Sequence, residues 1–74
     1  MIVKILSLII HSKLTFLKSS ELHRLIKLKG WVHIRTSGSH YIYEKNGVNI
    51  VVPFHGSKEV PKGTERAIKK QAGL

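Results

Sequence analysis

The chain has 74 residues and a formal net charge of +9 at pH 7, from 13 Lys and Arg residues against 4 Asp and Glu residues. A domain of this length buries only roughly 60% of the surface that its unfolded chain exposes, so we expect one thin-cored domain without a deep cavity. The absence of cysteine excludes disulfides and thiolate metal sites, and it fits a reducing, cytoplasmic compartment. The excess of cations favours a polyanionic partner, either a nucleic acid or an acidic protein.

Residues 1–17 differ in composition from the rest and are interpreted as an N-terminal extension. Their apolar run, residues 5–10, is short for a signal-peptide core and lacks a small-residue cleavage site after it. It is also far below the roughly 18 apolar residues of a membrane-spanning helix, so we expect no membrane association. The spacing fits either an extra strand or an extra helix, and the β-branched residues favour the strand.

Residues 18–74 predict a compact domain that begins with a helix. Ser19 or Ser20 can cap its start, and Glu21 in the first turn complements the helix dipole. The apolar stripe of this helix consists of Leu22, Leu25 and Ile26. The residues assigned largely to its polar side are His23, Arg24, Lys27 and Lys29. Gly30 can adopt the left-handed conformation that closes a helix, so we expect the helix to end there.

Three strands joined by tight turns are expected next. Alternating side chains predict strands over residues 31–36, 39–44 and 48–52. Ser37 and Gly38 are expected to form the first turn, and the Asn46-Gly47 pair is a strong signal for the second. Pro53 cannot donate a ladder hydrogen bond, so we expect the sheet to end there.

Alternation along the strands predicts which side chains share a face. In the first strand, His33 and Arg35 are expected on one face. In the second, Tyr41 and Tyr43 are expected on one face and His40 on the other. If the tyrosines cover the core, His40 faces solvent or a groove.

A loop over residues 54–60 and a second helix from Pro61 to Gln71 complete the prediction. Ala67, Ile68 and Leu74 are the residues left for the core. Four cations form one face of this helix, either for phosphate contact or for solubility: Lys62, Arg66, Lys69 and Lys70. The order helix, three antiparallel strands, helix predicts an α+β domain with both helices on one sheet face.

His40 is the main candidate for catalysis. An imidazole with a pKa near ~6.5 can take a proton from a ribose 2′-hydroxyl or give one to a leaving 5′-oxygen. RNA supplies its own nucleophile in that reaction, so we expect neither a metal nor a cofactor. Taken alone, a histidine on a strand is more often without a role. His55 and Ser39 are secondary candidates, as proton partner or phosphate contact.

From residue 18 to residue 74 the chain resembles the HicA toxins of bacterial and archaeal toxin–antitoxin pairs. The resemblance is carried by Ser19-Ser20-Glu21-Leu22, Lys29-Gly30-Trp31, Gly38-Ser39-His40 with Tyr43, Val52-Pro53, His55-Gly56, Lys58-Glu59, and the block from Lys62-Gly63-Thr64 through Lys70-Gln71-Ala72-Gly73-Leu74. Several separate blocks agree in order and spacing, so the signal is specific. Members commonly begin near the position of Lys18, so residues 1–17 depart from the family.

The resemblance implies a fold similar to double-stranded-RNA-binding domains and a ribosome-independent mRNA interferase activity, within a type II toxin–antitoxin system. It places the family's catalytic histidine on His40, and it implies a HicB antitoxin as protein partner. RNA phosphates are expected to meet five cations: Lys58, Lys62, Arg66, Lys69 and Lys70. Two alternatives are a non-catalytic module that binds double-stranded RNA by its shape, and a domain whose basic face binds only an acidic protein.

Overall fold

The computed structural model describes residues 17–74, and these form two helices and one three-stranded sheet. The elements are α1 (Ser19–Leu28), β1 (Val32–Ser37), β2 (His40–Lys45), β3 (Val48–Pro53) and α2 (Lys62–Ala72). All strands are antiparallel in the order β1-β2-β3. The predicted α+β class and element order are confirmed. The expectation of an extra strand or helix before residue 17 lies outside the described residues.

Two-residue turns fix the register of the sheet. Gly38 and Ser39 join β1 to β2, one residue later than predicted, and Gly38 has a φ of +58° that glycine adopts without steric strain. Asn46 and Gly47 join β2 to β3 with φ values of +52° and +81°, as a type I′ turn requires. The sheet ends with Pro53, which lies opposite His40.

A β-bulge interrupts the pairing of β1 with β2. His33 lies opposite Tyr43, but the next paired residue, Arg35, lies opposite Ile42. Neighbouring residues of a strand face opposite sides of the sheet, so the bulge places Arg35 on the side opposite to His33. The prediction that these two residues share a face is therefore wrong, because strict alternation does not allow for the inserted residue.

Both helices pack on the same face of the sheet, as predicted. The main buried side chains are Leu22 and Ile26 of α1, Tyr43, Ile50 and Val52 of the sheet, and Ile68 and Ala72 of α2. Trp31 Nε1 donates a hydrogen bond of 3.0 Å to the Ala72 carbonyl oxygen and so ties the end of α2 to the residue that precedes β1. Ala67 is exposed and Leu74 is 43% exposed, so their assignment to the core is wrong.

The prediction that His23 lies on the polar side of α1 is also wrong, because this residue is only 3% exposed. Its Nε2 donates a hydrogen bond of 2.8 Å to the Pro53 carbonyl oxygen. That bond fixes the proton of the neutral ring on Nε2, so Nδ1 accepts from the Tyr43 hydroxyl. A buried imidazole with both nitrogens satisfied thus connects α1 to β2 and β3.

Candidate active site

His40 is the first residue of β2 and lies between Ser37 of β1 and Pro53 of β3. Its side chain is exposed. Because Tyr43 is fully buried beneath the helices, alternation places His40 on the opposite face of the sheet, as predicted. We call this the open face because neither helix of residues 17–74 packs on it, although Ile42 on this face is only 6% exposed. Within residues 17–74, the structure gives the His40 ring no hydrogen-bond or ion-pair partner. No residue of this described part of the chain therefore occupies either ring nitrogen.

Arg35 is a cation on the same open face that sequence reasoning did not select. It pairs with Ile42, while Ser37 pairs with His40, so Arg35 is the diagonal cross-strand neighbour of His40. Diagonal neighbours have Cβ atoms roughly 7–8 Å apart, which a long side chain can span. The Arg35 side chain is exposed. Sequence reasoning missed Arg35 because strict alternation does not reveal the bulge that moves it to this face.

Ser39 and His55 lie at the same end of the sheet as His40. The Phe54 backbone N–H donates to the Ser39 carbonyl oxygen at 2.7 Å, which holds the segment after β3 against the first turn. The His55 backbone N–H donates to Ser19 Oγ at 2.9 Å, and its side chain is exposed. The backbone segments that carry the three residues lie close together in space. The His55 side chain, however, lines a groove on the helix side of the sheet, and His40 does not line this groove.

This groove has a volume of about 380 Å³ and lies between the start of α1, the loop after β3 and the start of α2. Its residues are Ser19, Leu22, Pro53, His55, Lys58, Glu59, Val60, Pro61, Thr64 and Ile68. Leu22, Val60 and Ile68 are buried and form an apolar floor. Lys58 and His55 are exposed and supply polar atoms at its border.

The cations of α2 are not equivalent, although they were predicted to form one face. Lys69 Nζ lies 2.8 Å from Glu65 Oε2, and Lys62 Nζ lies 3.7 Å from Glu65 Oε1. The hydrogen bond from Lys69, supported by the charge of Lys62, lowers the pKa of Glu65. Arg66 and Lys70 are exposed, and no ion pair is found for either within residues 17–74. Arg66 and Lys70 are therefore more available to an anion than Lys62 and Lys69, whose charge is partly neutralised by Glu65.

Residues 17–74 contain neither a candidate metal site nor a helix that could span a membrane. In this part of the chain, no three His, Cys, Asp or Glu side chains come together in a way that could hold a metal ion. Neither α1 nor α2 has the length and hydrophobicity needed to cross a membrane.

Comparison with known proteins gives one consistent result. The family model described as HicA toxin of bacterial toxin-antitoxin matches residues 19–74, which include every described helix and strand. A curated relative, named probable mRNA interferase HicA, from Pseudomonas fluorescens (strain Pf0-1), is 40% identical over 58 residues. The alignment covers 78% of this chain and 97% of the relative. The chain therefore belongs to the HicA toxin family.

Proposed function

We propose that this protein is an mRNA interferase, an endoribonuclease toxin that cuts RNA without a metal, with His40 as general acid or base. Membership of the HicA family supports the activity, as does the name of the Pseudomonas relative. The observation that carries the proposal for His40 is its position: it is exposed at the end of the open sheet face, with Arg35 as its diagonal neighbour.

The proposed reaction is an internal transesterification of RNA. The ribose 2′-oxygen loses its proton and forms a bond to the adjacent phosphorus, and the bond from phosphorus to the 5′-oxygen breaks. The leaving 5′-oxygen takes up a proton, and the other fragment keeps a 2′,3′-cyclic phosphate. His40 can perform either proton transfer, because an imidazole exchanges protons near neutral pH.

Arg35 is proposed as the cation that stabilises the charge on the phosphate during this reaction. Negative charge accumulates on the phosphate oxygens as the fifth bond to phosphorus forms, so a positioned donor lowers the barrier. A guanidinium can donate two parallel hydrogen bonds to such oxygens. The cross-strand geometry allows Arg35 and His40 to contact one phosphodiester from the same sheet face.

The remaining candidates are proposed as phosphate contacts around this centre. Ser39 precedes His40 in the chain, and the backbone after β3 that carries His55 is held against Ser39. Because the His55 side chain lines the groove on the helix side, it is proposed as a phosphate contact and not as the partner of His40 in proton transfer. Further along the RNA, the proposed contacts are Lys58, Lys62, Arg66, Lys69 and Lys70, of which Lys62 and Lys69 are partly neutralised by Glu65. Such contacts add affinity without sequence specificity.

The proposed protein partner is an acidic antitoxin of the HicB type that covers the open sheet face. A net charge of +9 gives any acidic surface a strong attraction to this chain. We further propose that residues 18–74 are the catalytic domain, that residues 1–17 are an extension, and that the protein acts in the cytoplasm, where mRNA is found.

Expression in bacterial cells tests this proposal. Induction of the full chain is expected to stop growth and to deplete mRNA, because uncontrolled cleavage removes the templates of protein synthesis. Co-expression of an acidic protein encoded in the adjacent reading frame is expected to restore growth. Normal growth and intact mRNA at confirmed protein levels, together with tight binding of double-stranded RNA, would instead favour the non-catalytic module.

A further inference from the structure

Three aromatic rings form a stack across the sheet at the end where His40 lies. His33 of β1 stacks on Tyr41 of β2 with ring centroids 4.3 Å apart and an interplanar angle of 6°. Tyr41 in turn stacks on Phe54, which follows β3, at 4.9 Å and 23°. These three rings, called the aromatic ladder below, lie on the helix side of the sheet but remain at least partly exposed.

The aromatic ladder is held rigidly from both ends. The buried His23 ring meets Tyr41 and Phe54 edge to face, with centroids 5.0 Å apart in each case. At the other end, His33 Nε2 donates to the Arg35 carbonyl oxygen at 3.1 Å and lies 2.7 Å from the Thr36 hydroxyl. A ring fixed in this way loses little conformational entropy when another flat group stacks on it.

His33 is the end of the aromatic ladder that is open to a ligand. Tyr41 uses its two faces against His33 and Phe54, whereas His33 is exposed and lies on β1, an edge strand of the described sheet. Its outer face therefore points away from the stack. A free face at the end of a column of stacked rings is a favourable position for one more planar ring.

We propose that the outer face of His33 is a stacking site for an unpaired nucleobase of single-stranded RNA, on the same strand as the phosphodiester whose cleavage His40 assists. This inference rests on the proposed function and adds a base-binding position to it. His33 precedes Ser37, the cross-strand partner of His40, by four residues on β1, and its side chain lies on the sheet face opposite to that of His40. The RNA would pass around the end of the β1–β2 hairpin.

Single-stranded RNA fits this surface better than a duplex. Bases inside a duplex are already stacked on each other, whereas unpaired bases can be splayed onto aromatic side chains. Every base has a π-face, so the site would accept different bases and would select for an unpaired nucleotide. The positive net charge of the chain supplies attraction for the backbone on either side.

The test measures binding to the non-cleaving His40→Ala protein, so that it does not depend on catalysis. The probe is a short single-stranded RNA carrying 2-aminopurine, compared with the same strand in a duplex. Introducing His33→Ala into the His40→Ala protein is expected to weaken binding of the single strand about 10-fold. It is also expected to remove the quenching of 2-aminopurine fluorescence that stacking causes. Duplex binding is expected to change much less. His33→Tyr is expected to restore both affinity and quenching, because it restores a ring.

The control variant is Val48→Ala, which removes an exposed side chain at the other end of the sheet and is expected to leave binding unchanged. Thermal melting of each variant checks that the fold is kept. The proposal is overturned if His33→Ala binds the single strand as tightly as its parent, or if His33→Tyr binds as weakly as His33→Ala. Stacking without any cleavage by the unsubstituted protein would contradict the proposed enzyme but leave the stacking site standing.

Discussion

His40→Ala is expected to lower the rate of RNA cleavage at least about 100-fold, because positioned acid–base groups contribute factors of about that size or more. The loss is expected in kcat, with little change in RNA affinity, because phosphate contacts elsewhere supply most of the binding. The measurement is cleavage of a labelled RNA under single-turnover conditions. Melting temperature and RNA affinity are recorded for the same preparations.

The fold is expected to survive this substitution, since His40 is exposed and has no bonding partner among residues 17–74. Asn49→Ala is a matched control, because Asn49 is exposed on the same open face but pairs with Glu44, far from the first turn. That variant should cleave at the original rate. Undiminished cleavage by His40→Ala protein that is free of host nucleases would contradict the assignment.

His23→Ala is expected to destabilise the domain by about 2–4 kcal/mol, the usual cost of a cavity combined with an unsatisfied buried group. The substitution removes the partner of both the Tyr43 hydroxyl and the Pro53 carbonyl oxygen. For a domain of this size, such a loss lowers the melting temperature by about 10 °C or more. Thermal and urea unfolding measure it directly.

His55→Ala is the matched control for stability, since that histidine is exposed and uses its backbone N–H, not its ring, to bind Ser19. It should melt within about a degree or two of the original protein, as surface substitutions usually do. Equal melting temperatures for His23→Ala and His55→Ala would show that the buried hydrogen bonds of His23 contribute nothing.

The same histidine determines how stability changes with pH. Burial lowers the pKa of His23 in the folded protein, outweighing the opposite effect of its hydrogen bond to Pro53, and the nearby charges of Lys27 and His33 lower it further. The unfolded chain therefore binds the proton more readily, so stability is lost as pH falls below about 6.5. His23→Gln should show a weaker fall in melting temperature between pH 7.5 and 5.5. Identical slopes for the two proteins would contradict this.

The elements themselves were predictable because their signals are local. Gly30 closes α1 with a φ of +106°, and Asn46-Gly47 forms the expected turn. The periodicity of apolar residues also indicated which strand face the helices cover, and hence that His40 is exposed. Helix and strand ends differ from the prediction by one or two residues. Ala72 is buried because it follows Ile68 by four residues on the same face of α2, whereas Ala67 is exposed.

The errors arose where distant residues decide the outcome. His23 is polar and follows Leu22, so a helical projection alone assigns it to solvent. Its partners, Tyr43 and Pro53, lie 20 and 30 residues away in the sequence. Only the folded sheet brings them to α1, where the two hydrogen bonds compensate for burial of the ring. The aromatic ladder was not predicted for the same reason: His33 lies in β1, Tyr41 lies in β2, and Phe54 directly follows β3.

The candidate site was predictable in part. His40 could be selected from alternation, charge and the family resemblance, but Arg35 could not, because the bulge that moves it to the open face has no clear local signal. The sequence did contain the signal that Glu65 partly neutralises the cations of α2. Glu65 precedes Lys69 by four residues, the spacing at which a helix brings opposite charges together.

The central claim, metal-independent transesterification by the 2′-hydroxyl, is tested most directly by the ends of the RNA fragments. RNA is incubated with the purified full chain in EDTA, with His40→Ala protein in parallel, and the ends are identified by mass spectrometry. Undiminished cleavage in EDTA that leaves 2′,3′-cyclic phosphates and 5′-hydroxyls, absent with His40→Ala, is the predicted result. Cleavage that stops in EDTA, or that leaves 3′-hydroxyls and 5′-phosphates, would contradict the mechanism.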